Sequence, residues 1–315
     1  MKVLLPLALF LALFALAFSV DLCPPEDLIK PCDCISGYSP VTYKCSEVLD
    51  QDTIEGVFTR SLDWPLNALI FDHSSLLYVS TPLINSKNVT IVAIYHSRFT
   101  SLFTSPPEET NVVQNVILKN TTFLRGLDWR LFKHLSLDIL QIEEVPLKRI
   151  GNAFVENLKS TVTRLTMEKA KIQSLHNEAF SKLTSMITLS CAYNSIKSIQ
   201  RSMFPQQTPL YLIDLSHNKI ENLPNDMFSN MPQLRDVYLN DNRIKTFSSP
   251  VWEGVFDHLQ TIDLNDNPIV CDCNVKWYTT KSRSVRVTGT CETPKNMKGW
   301  KLIQLSQGDF HYCPK

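Results

Sequence analysis

Residues 210–228 read LYLIDLSHNKIENLPNDMF, and the fold follows from this stretch. Leu210, Ile213, Leu215, Asn218 and Ile220 fall on the pattern L-x-x-L-x-L-x-x-N-x-L. Alternation at Ile213 and Leu215 makes a short strand with one buried face. Asn218 stands where the strand turns away, and a buried Asn there bonds backbone groups that the turn leaves unpaired. Leu223, Pro224 and Phe228 then cover the core from the far side. One such unit cannot bury its own apolar face, so it must stack on copies of itself.

The copies are present at a period of 23 to 25 residues. Nine units start at Leu66, Val89, Val113, Leu137, Val162, Met186, Leu210, Leu234 and Leu259. Their expected buried sets are Leu69, Phe71 and Leu76; Val92, Ile94 and Phe99; Val116, Leu118 and Phe123; Leu140, Ile142 and Leu147; Leu165, Met167 and Ile172; Leu189, Cys191 and Ile196. After the opening stretch come Val237, Leu239 and Ile244, then Ile262, Leu264 and Ile269. The Asn position separates two halves. Asn194, Asn218, Asn242 and Asn267 fill it in the last four units, where the first five have Ser74, Ser97, Thr121, Val145 and Ala170. Ser and Thr still bond a neighbouring backbone group. Val and Ala cannot, so water or an altered turn is expected there, and with it a less regular N-terminal half. Phe154, Phe180, Phe204, Phe228 and Trp252 recur at the back of the units and read as a core spine on short helical turns, not as a binding stripe. Cys191 takes the inward strand slot that Leu215 holds one unit later, so it reads as a small buried hydrophobe.

The 315 residues carry 31 basic and 31 acidic side chains, which gives no reason to expect nucleic acid or an acidic membrane surface as the main partner. Only 8 glycines argue against phosphate-cradling loops. Lys2 followed by apolar residues 3–18, with small Ala17 and Ser19, reads as a secretory signal peptide cleaved after Ser19. The run is shorter than the roughly 20 residues of a membrane span. No second long apolar run follows, so no membrane span and no lipid anchor is expected. Of nine cysteines, eight cluster at the two ends: Cys23, Cys32, Cys34 and Cys45, then Cys271, Cys273, Cys291 and Cys313. Behind a signal peptide these are disulfides rather than zinc ligands, although four cysteines alone allow three pairings.

The C-terminal block has Cys271-Asp272-Cys273-Asn274, then Trp277, Cys291, Pro294, Gly299, Leu305, Phe310 and Cys313. It resembles the cysteine-rich cap that closes extracellular leucine-rich-repeat domains. With both cysteine clusters, the repeats and the leader together, the mature chain is similar to secreted extracellular leucine-rich-repeat proteins. In layout it is similar to arthropod proteins like the non-catalytic subunit of Oplophorus-luciferin 2-monooxygenase. The resemblance implies an α/β repeat solenoid: a curved horseshoe with a parallel concave sheet and disulfide-stapled caps. It implies the bonds Cys23–Cys34, Cys32–Cys45, Cys271–Cys291 and Cys273–Cys313. The expected organisation is a signal peptide at 1–19, an N-terminal cap at 20–65, nine repeats at 66–270 and a C-terminal cap at 271–315. The resemblance also implies a binding or stabilising subunit without catalysis of its own.

No catalytic, cofactor or metal site is expected. The seven histidines are dispersed, and the sequence has no H-E-x-x-H, G-x-S-x-G, P-loop or dinucleotide fingerprint. His73 and His96 share one position in adjacent units, about 5 Å apart by strand spacing, with Asp72 beside them. Two solvated histidines are the plainer reading and a metal pair the sharper one. Function is expected on the concave sheet, at Tyr193, Tyr211, Asp214, His217, Arg235, Asp236, Tyr238, Asp241, Asp263 and Asp266. Tyr gives contact area at small entropic cost, and an acidic row favours a basic protein partner. In the N-terminal half Ile70, Ala93, Tyr95, Ile117 and Ile139 read as an outward apolar patch, a second contact or dimer face. Lys276, Lys281, Arg283, Arg286, Lys295, Lys298, Lys301 and Lys315 outnumber Asp272, Glu292 and Asp309 in the C-terminal cap. That bias reads as a solvated surface or, more sharply, as weak binding to an acidic glycan such as heparan sulfate. Asn88 and Asn120 head glycosylation sequons. The resulting expectation is a secreted binding protein with a macromolecular partner. Its competing roles are accessory subunit of a secreted enzyme, matrix or cell-surface ligand, and glycan-recognition module.

Overall fold

A computed structural model describes residues 22–36 and 41–314, so the leader expected over 1–19 lies outside the described residues. The chain is a leucine-rich-repeat solenoid with a cap at each end. Its main sheet has 12 strands. In chain order they are β1 (Cys32–Ile35), β2 (Thr42–Ser46), β3 (Ala68–Asp72), β4 (Ile91–Tyr95), β5 (Asn115–Lys119), β6 (Ile139–Glu143), β7 (Arg164–Glu168), β8 (Thr188–Ser190), β9 (Leu212–Asp214), β10 (Asp236–Tyr238), β11 (Thr261–Asp263) and β12 (Arg286–Thr288). Every neighbour in the sheet is also the neighbour in sequence. β1 and β2 form an antiparallel pair, and all later pairs are parallel. Both caps therefore enter the sheet: β2 covers the edge of the first repeat and β12 the edge of the last. An uncovered parallel edge would leave a row of unpaired backbone groups.

Strand alternation places the core. Leu69 and Phe71, Val92 and Ile94, Ile213 and Leu215, and Ile262 and Leu264 point inward and are buried. Leu147 departs from the expected set. It is only half-buried, and Ile150 fills the core in that unit. The cause lies at the preceding turn, where Val145 occupies the Asn position and Lys148 adopts a positive φ of 60° in addition to the one that the residue before the slot takes in every unit, here Glu144 at 57°. The rebuilt turn bonds Leu147 N to the Ala170 carbonyl at 2.8 Å, so an altered turn does the work of the missing amide.

Elsewhere the polar slot works as its chemistry dictates. The Asn218 amide donates to Cys191 O (2.9 Å), Leu215 O (3.1 Å) and Ser216 O (3.1 Å), while its Oδ1 accepts from Ile196 N at 3.0 Å. Asn194, Asn242 and Asn267 repeat this arrangement. Ser74 Oγ accepts from Val48 N (3.1 Å), and Ser97 Oγ accepts from Ser74 N (2.9 Å). Thr121 Oγ1 donates to Ile94 O at 3.2 Å. Hydroxyls thus keep the first three units in register, and the altered turns are confined to the Val145 and Ala170 units, where Lys148 and Lys171 take a second positive φ; by strand length the more extended part of the sheet is nonetheless the N-terminal half. Its strands β3 to β7 run five residues each, against three in β8 to β11. A second parallel ladder, Ser75–Leu76, Arg98–Phe99 and Thr122–Phe123, follows the turns there.

The back of the solenoid is held by aromatic packing. Ring centroids lie 4.7 Å apart for Trp129–Phe154, 6.4 Å for Phe154–Phe180, 5.6 Å for Phe180–Phe204 and 4.8 Å for Phe228–Trp252. Burying one such ring contributes about 1.5–3 kcal/mol. Phe154 lies in the short helix Asn152–Asn157 and Trp252 in Ser249–Trp252, whereas Phe180 and Phe228 sit on hydrogen-bonded turns. The longest helix among the described residues, Gln51–Arg60, starts at Asp50, whose carboxylate accepts from Thr53 N at 2.8 Å. Arg60 at its end bonds the Leu28 and Lys30 carbonyls and ties the N-terminal flap down.

Disulfides join Cys23 to Cys34, Cys32 to Cys45, Cys271 to Cys291 and Cys273 to Cys313. In the C-terminal cap Gly289 has φ 141°, and a Cβ there would meet Leu302 Cδ1 at 3.0 Å and Leu264 Cβ at 3.2 Å, so the cap closes directly onto the last repeat. Cys191 is the free cysteine, fully buried, with its thiol pKa pushed up by burial and by the nearby Asp214 and Glu168 charges.

Thiol reagents should leave the native protein unmodified and label one thiol per chain after unfolding without reductant; rapid native labelling would refute the buried placement. Asn218→Ala leaves several buried backbone groups unpaired, each costing about 1–3 kcal/mol. A urea-unfolding series should therefore show a loss on the order of 3 kcal/mol or more.

Candidate functional site

Parallel pairing turns single residues into rows across the concave face. In the middle row Ser190, Asp214, Tyr238, Asp263 and Thr288 are successive register partners. In the leading row Thr188, Leu212, Asp236, Thr261 and Arg286 are partners in the same way. Neighbouring strands lie about 4.8 Å apart, so Tyr238 has a carboxylate on each side and Asp236 two residues before it on its own strand. Burial raises the Tyr238 pKa, and the Asp236, Asp214 and Asp263 charges raise it further, against a smaller opposing effect of Arg286. The phenol stays a neutral donor among three acceptors. Two of those acceptors also brace the turns. Asp214 Oδ1 accepts from Ser216 N at 2.9 Å, and Asp263 Oδ1 accepts from Asn265 N at 3.0 Å and from Thr288 Oγ1 at 2.6 Å.

The other expected face residues fall elsewhere. Tyr211 and Arg235 precede β9 and β10 and lie at the leading edge of the sheet, Tyr211 exposed and Arg235 folded back onto the Pro232 and Leu234 carbonyls at 3.1 and 3.0 Å. Tyr193, His217, Asp241 and Asp266 lie beyond the strands on the trailing rim, each at positive φ between 51° and 56°. Arg286, grouped by sequence with the solvated cap, lies on the concave face. The alternation Val285, Arg286, Val287, buried, exposed, buried, is the signal for it.

The trailing rim carries a continuous chain of contacts over five units. Glu144 pairs with Lys169 at 2.9 Å. The Lys169 ammonium lies 6.0 Å from the Tyr193 ring centroid, and that ring stacks on His217 at 4.0 Å with a 10° interplanar angle. His217 Nδ1 then meets Asp241 Oδ2 at 2.7 Å. Its hydrogen bond to Glu144, with the attraction between their charges, raises the Lys169 pKa. Both charges are exposed, so this chain orders the rim more than it stabilises the fold.

In the N-terminal half Ile70, Ala93 and Ile117 share the middle row, Ile91 and Ile139 belong to the leading row, and Tyr95 lies between Asp72 and Lys119 in the trailing one. Ala93 is fully buried and the others are half-buried, so this is a recessed apolar stripe and not the open patch expected. The basic residues of the C-terminal cap are partly spent within it. Lys276 bonds the Cys313 and Pro314 carbonyls, Lys298 pairs with Glu292, and Arg283 bonds Leu305 O and covers the Tyr278 ring at 4.5 Å. Lys315 lies outside the described residues. An open groove of about 600 Å³ at the leading edge, lined by Thr208, Pro209, Met231, Pro232, Val255 and His258 among others, has no carboxylate or thiol on its walls. The arrangement best developed for chemistry is therefore an acceptor-rich patch that suits cationic and donor groups.

Replacing Asp236 or Asp263 by Asn removes a neighbouring negative charge and should lower the Tyr238 pKa. The measurement is a phenolate absorbance titration with Tyr238→Phe as the subtracted reference. An unchanged titration in both variants would refute the electrostatic coupling.

The leucine-rich-repeat family model ("Leucine rich repeat") matches residues 208–269. No curated protein matches the chain significantly. Among solved structures, one similar chain belongs to the octameric complex of Latrophilin 3, Unc5D and FLRT2, in which FLRT2 supplies the leucine-rich repeats. It is 17% identical with a TM-score of 0.53, over 79% of this chain and 91% of that one. At that identity the likeness is one of fold. By fold and repeat pattern the chain is a leucine-rich-repeat solenoid, and the family model itself covers residues 208–269.

Proposed function

We propose that this chain is a secreted, non-catalytic binding protein that captures a protein partner on the C-terminal half of its concave face. The observation that carries the proposal is the row Asp214, Tyr238, Asp263 with Asp236 beside it, held on a rigid parallel sheet. Fixed carboxylates around a neutral phenol complement Lys and Arg side chains and accelerate their encounter. The structurally similar chain comes from a multi-protein assembly, which agrees with a role in protein recognition. Four disulfides fit an oxidising compartment, and no helix among the described residues is long and apolar enough to cross a membrane. The resemblance in layout read from the sequence, to non-catalytic luciferase-type subunits, makes an accessory subunit of a secreted enzyme the first partner arrangement to test. A matrix ligand or a glycan-recognition module would bind cell-surface or polysaccharide partners instead.

Asn120 adds a boundary to this reading. It is exposed on the trailing rim at φ 47°, between His96 and Glu144 in the same column. A glycan there would shade the middle of the concave face and leave the Asp236 region clear; Asn88, also exposed, would carry one away from that region.

Affinity capture from the source fluid, with the triple charge reversal Asp214→Lys, Asp236→Lys and Asp263→Lys as control, tests the face. An accessory subunit brings down a second chain at fixed ratio, and the reversal should weaken capture at least about tenfold, ~1.4 kcal/mol. Equal capture by both proteins means that another surface binds. Mass spectrometry of the natively secreted protein should find a glycan on Asn120; an unmodified residue removes the shading.

A further inference from the structure

We propose that Asp72, His73 and His96 form a binding site for a borderline divalent transition ion, with Zn²⁺ as its natural occupant. Their ligand atoms, one carboxylate oxygen and two imidazole nitrogens, all lie within 4.8 Å of one another. Asp72 Oδ1 is 2.9 Å from His73 Nδ1 and 3.0 Å from His96 Nδ1. Zn²⁺ bonds to nitrogen and oxygen measure about 2.0–2.2 Å, so a tetrahedral site spaces its ligand atoms by about 3.3–3.6 Å. The two oxygen–nitrogen distances fall a few tenths of an ångström short of that value, so an ion needs the two rings to draw back slightly from the carboxylate. Two imidazoles and a carboxylate are the donor set of a zinc centre that leaves a fourth position for water or for a donor from another molecule.

The backbone holds the ligands together before any ion arrives. β3 and β4 pair in register with Asp72 opposite Tyr95, so the residues that follow, His73 and His96, are one strand apart. Both take the left-handed turn conformation, φ 48° and 46°, which sends the two rings the same way. The rings stack with centroids 4.8 Å apart and planes 22° from parallel. Each turn is pinned behind the ring: His73 N bonds Tyr95 O at 3.2 Å and His96 N bonds Lys119 O at 3.0 Å. Rigid support of this kind lowers the ordering cost of binding. Asp72 is half-buried in the concave trailing row, between Ser46 and Tyr95, while both rings are exposed, so an ion can enter from solvent. Three charged neighbours bear on the site, among them Glu144, whose charge acts on His96 and favours a cation. Lys44 of β2 acts on Asp72 and opposes a cation, and Glu47 holds the same turn position one step before His73 and favours one. Other histidine–carboxylate pairs on the surface, His134 with Glu109 and His217 with Asp241, bring one imidazole each. Only here, among the described residues, do three such groups converge.

Zinc titration calorimetry on the full secreted protein is the direct test, with cobalt absorption as a probe of imidazole coordination. One saturable site is expected. His73→Asn and His96→Asn keep the turn conformation, which Asn tolerates. Loss of a supporting outer-shell group costs about 10–100-fold in metal affinity, so each of these direct-ligand losses should weaken zinc at least about tenfold. Lys44→Ala should tighten it. Circular dichroism checks that each variant folds. Absence of a saturable site, a site unchanged in the double His variant, or weaker binding in Lys44→Ala overturns the proposal.

Discussion

Each repeat must reverse direction at the end of its strand, and the backbone groups at that reversal have no partner within the repeat. The next repeat supplies them. Asn218 accepts from Ile196 N and donates to Cys191 O, both in the unit before its own, at 3.0 and 2.9 Å. The satisfying bond crosses from one unit to the next, so the repeats cannot slide without leaving buried polar groups unpaired, at about 1–3 kcal/mol each. Hydrophobic burial makes the units stack, and this bond sets the register. An amide serves best because it donates twice and accepts on the same side chain. A hydroxyl does part of that work at Ser74, Ser97 and Thr121. At Val145 no polar atom is available, and the backbone itself bends to find a partner.

The same reversal has a second consequence, at the surface. The residue just before the polar slot sits at positive φ in every repeat, from His73 (48°) and His96 (46°) to Asp241 (51°) and Asp266 (56°). None of these residues is glycine. Because this one residue takes the same left-handed conformation each time, their side chains follow one another along the rim at the strand spacing. The column accepts any residue type the backbone tolerates, so its chemistry is set free of the core. That is why one column holds a stacked imidazole pair near its start and an acid–base–aromatic chain from Glu144 to Asp241 farther on.

The inward residues were legible in the sequence because period-two alternation and the Asn slot report on burial, which the whole stack enforces. Leu147 misled because its unit has Val145 in the slot, and no apolar pattern reports where a rebuilt turn will swing. The concave face was legible only in part, since alternation predicts a side only within a strand. Asp214, Asp236, Tyr238 and Asp263 lie inside three-residue strands and fall where parity puts them. Tyr211 and Arg235 precede their strands, and Tyr193 and Asp241 follow theirs, so parity carried no information about them. Arg286 was hidden differently. Its strand lies past the first cap cysteines, and the cysteine spacing drew it into the cap although Val285 and Val287 mark it as part of the sheet.

A repeat solenoid is a scaffold that can carry many different sites, so the fold of the sheet does not by itself select a partner. Selection must come from the rows. The N-terminal part of the face is recessed and apolar around Ala93, while the C-terminal part has three carboxylates around one phenol. Asp214 and Asp263 each keep one oxygen bonded to a turn amide, so both carboxylates are already fixed and partly desolvated before anything binds. A partner's guanidinium or ammonium therefore meets acceptors that need not be ordered first, and the ordering cost falls mostly on the partner. Arg286, two strands from Asp236 in the leading row, closes the acidic patch on the cap side and repels a cation placed too far toward it. Attraction at Asp236 and repulsion at Arg286 together fix where along the sheet a basic side chain docks, which an acidic row alone would leave free.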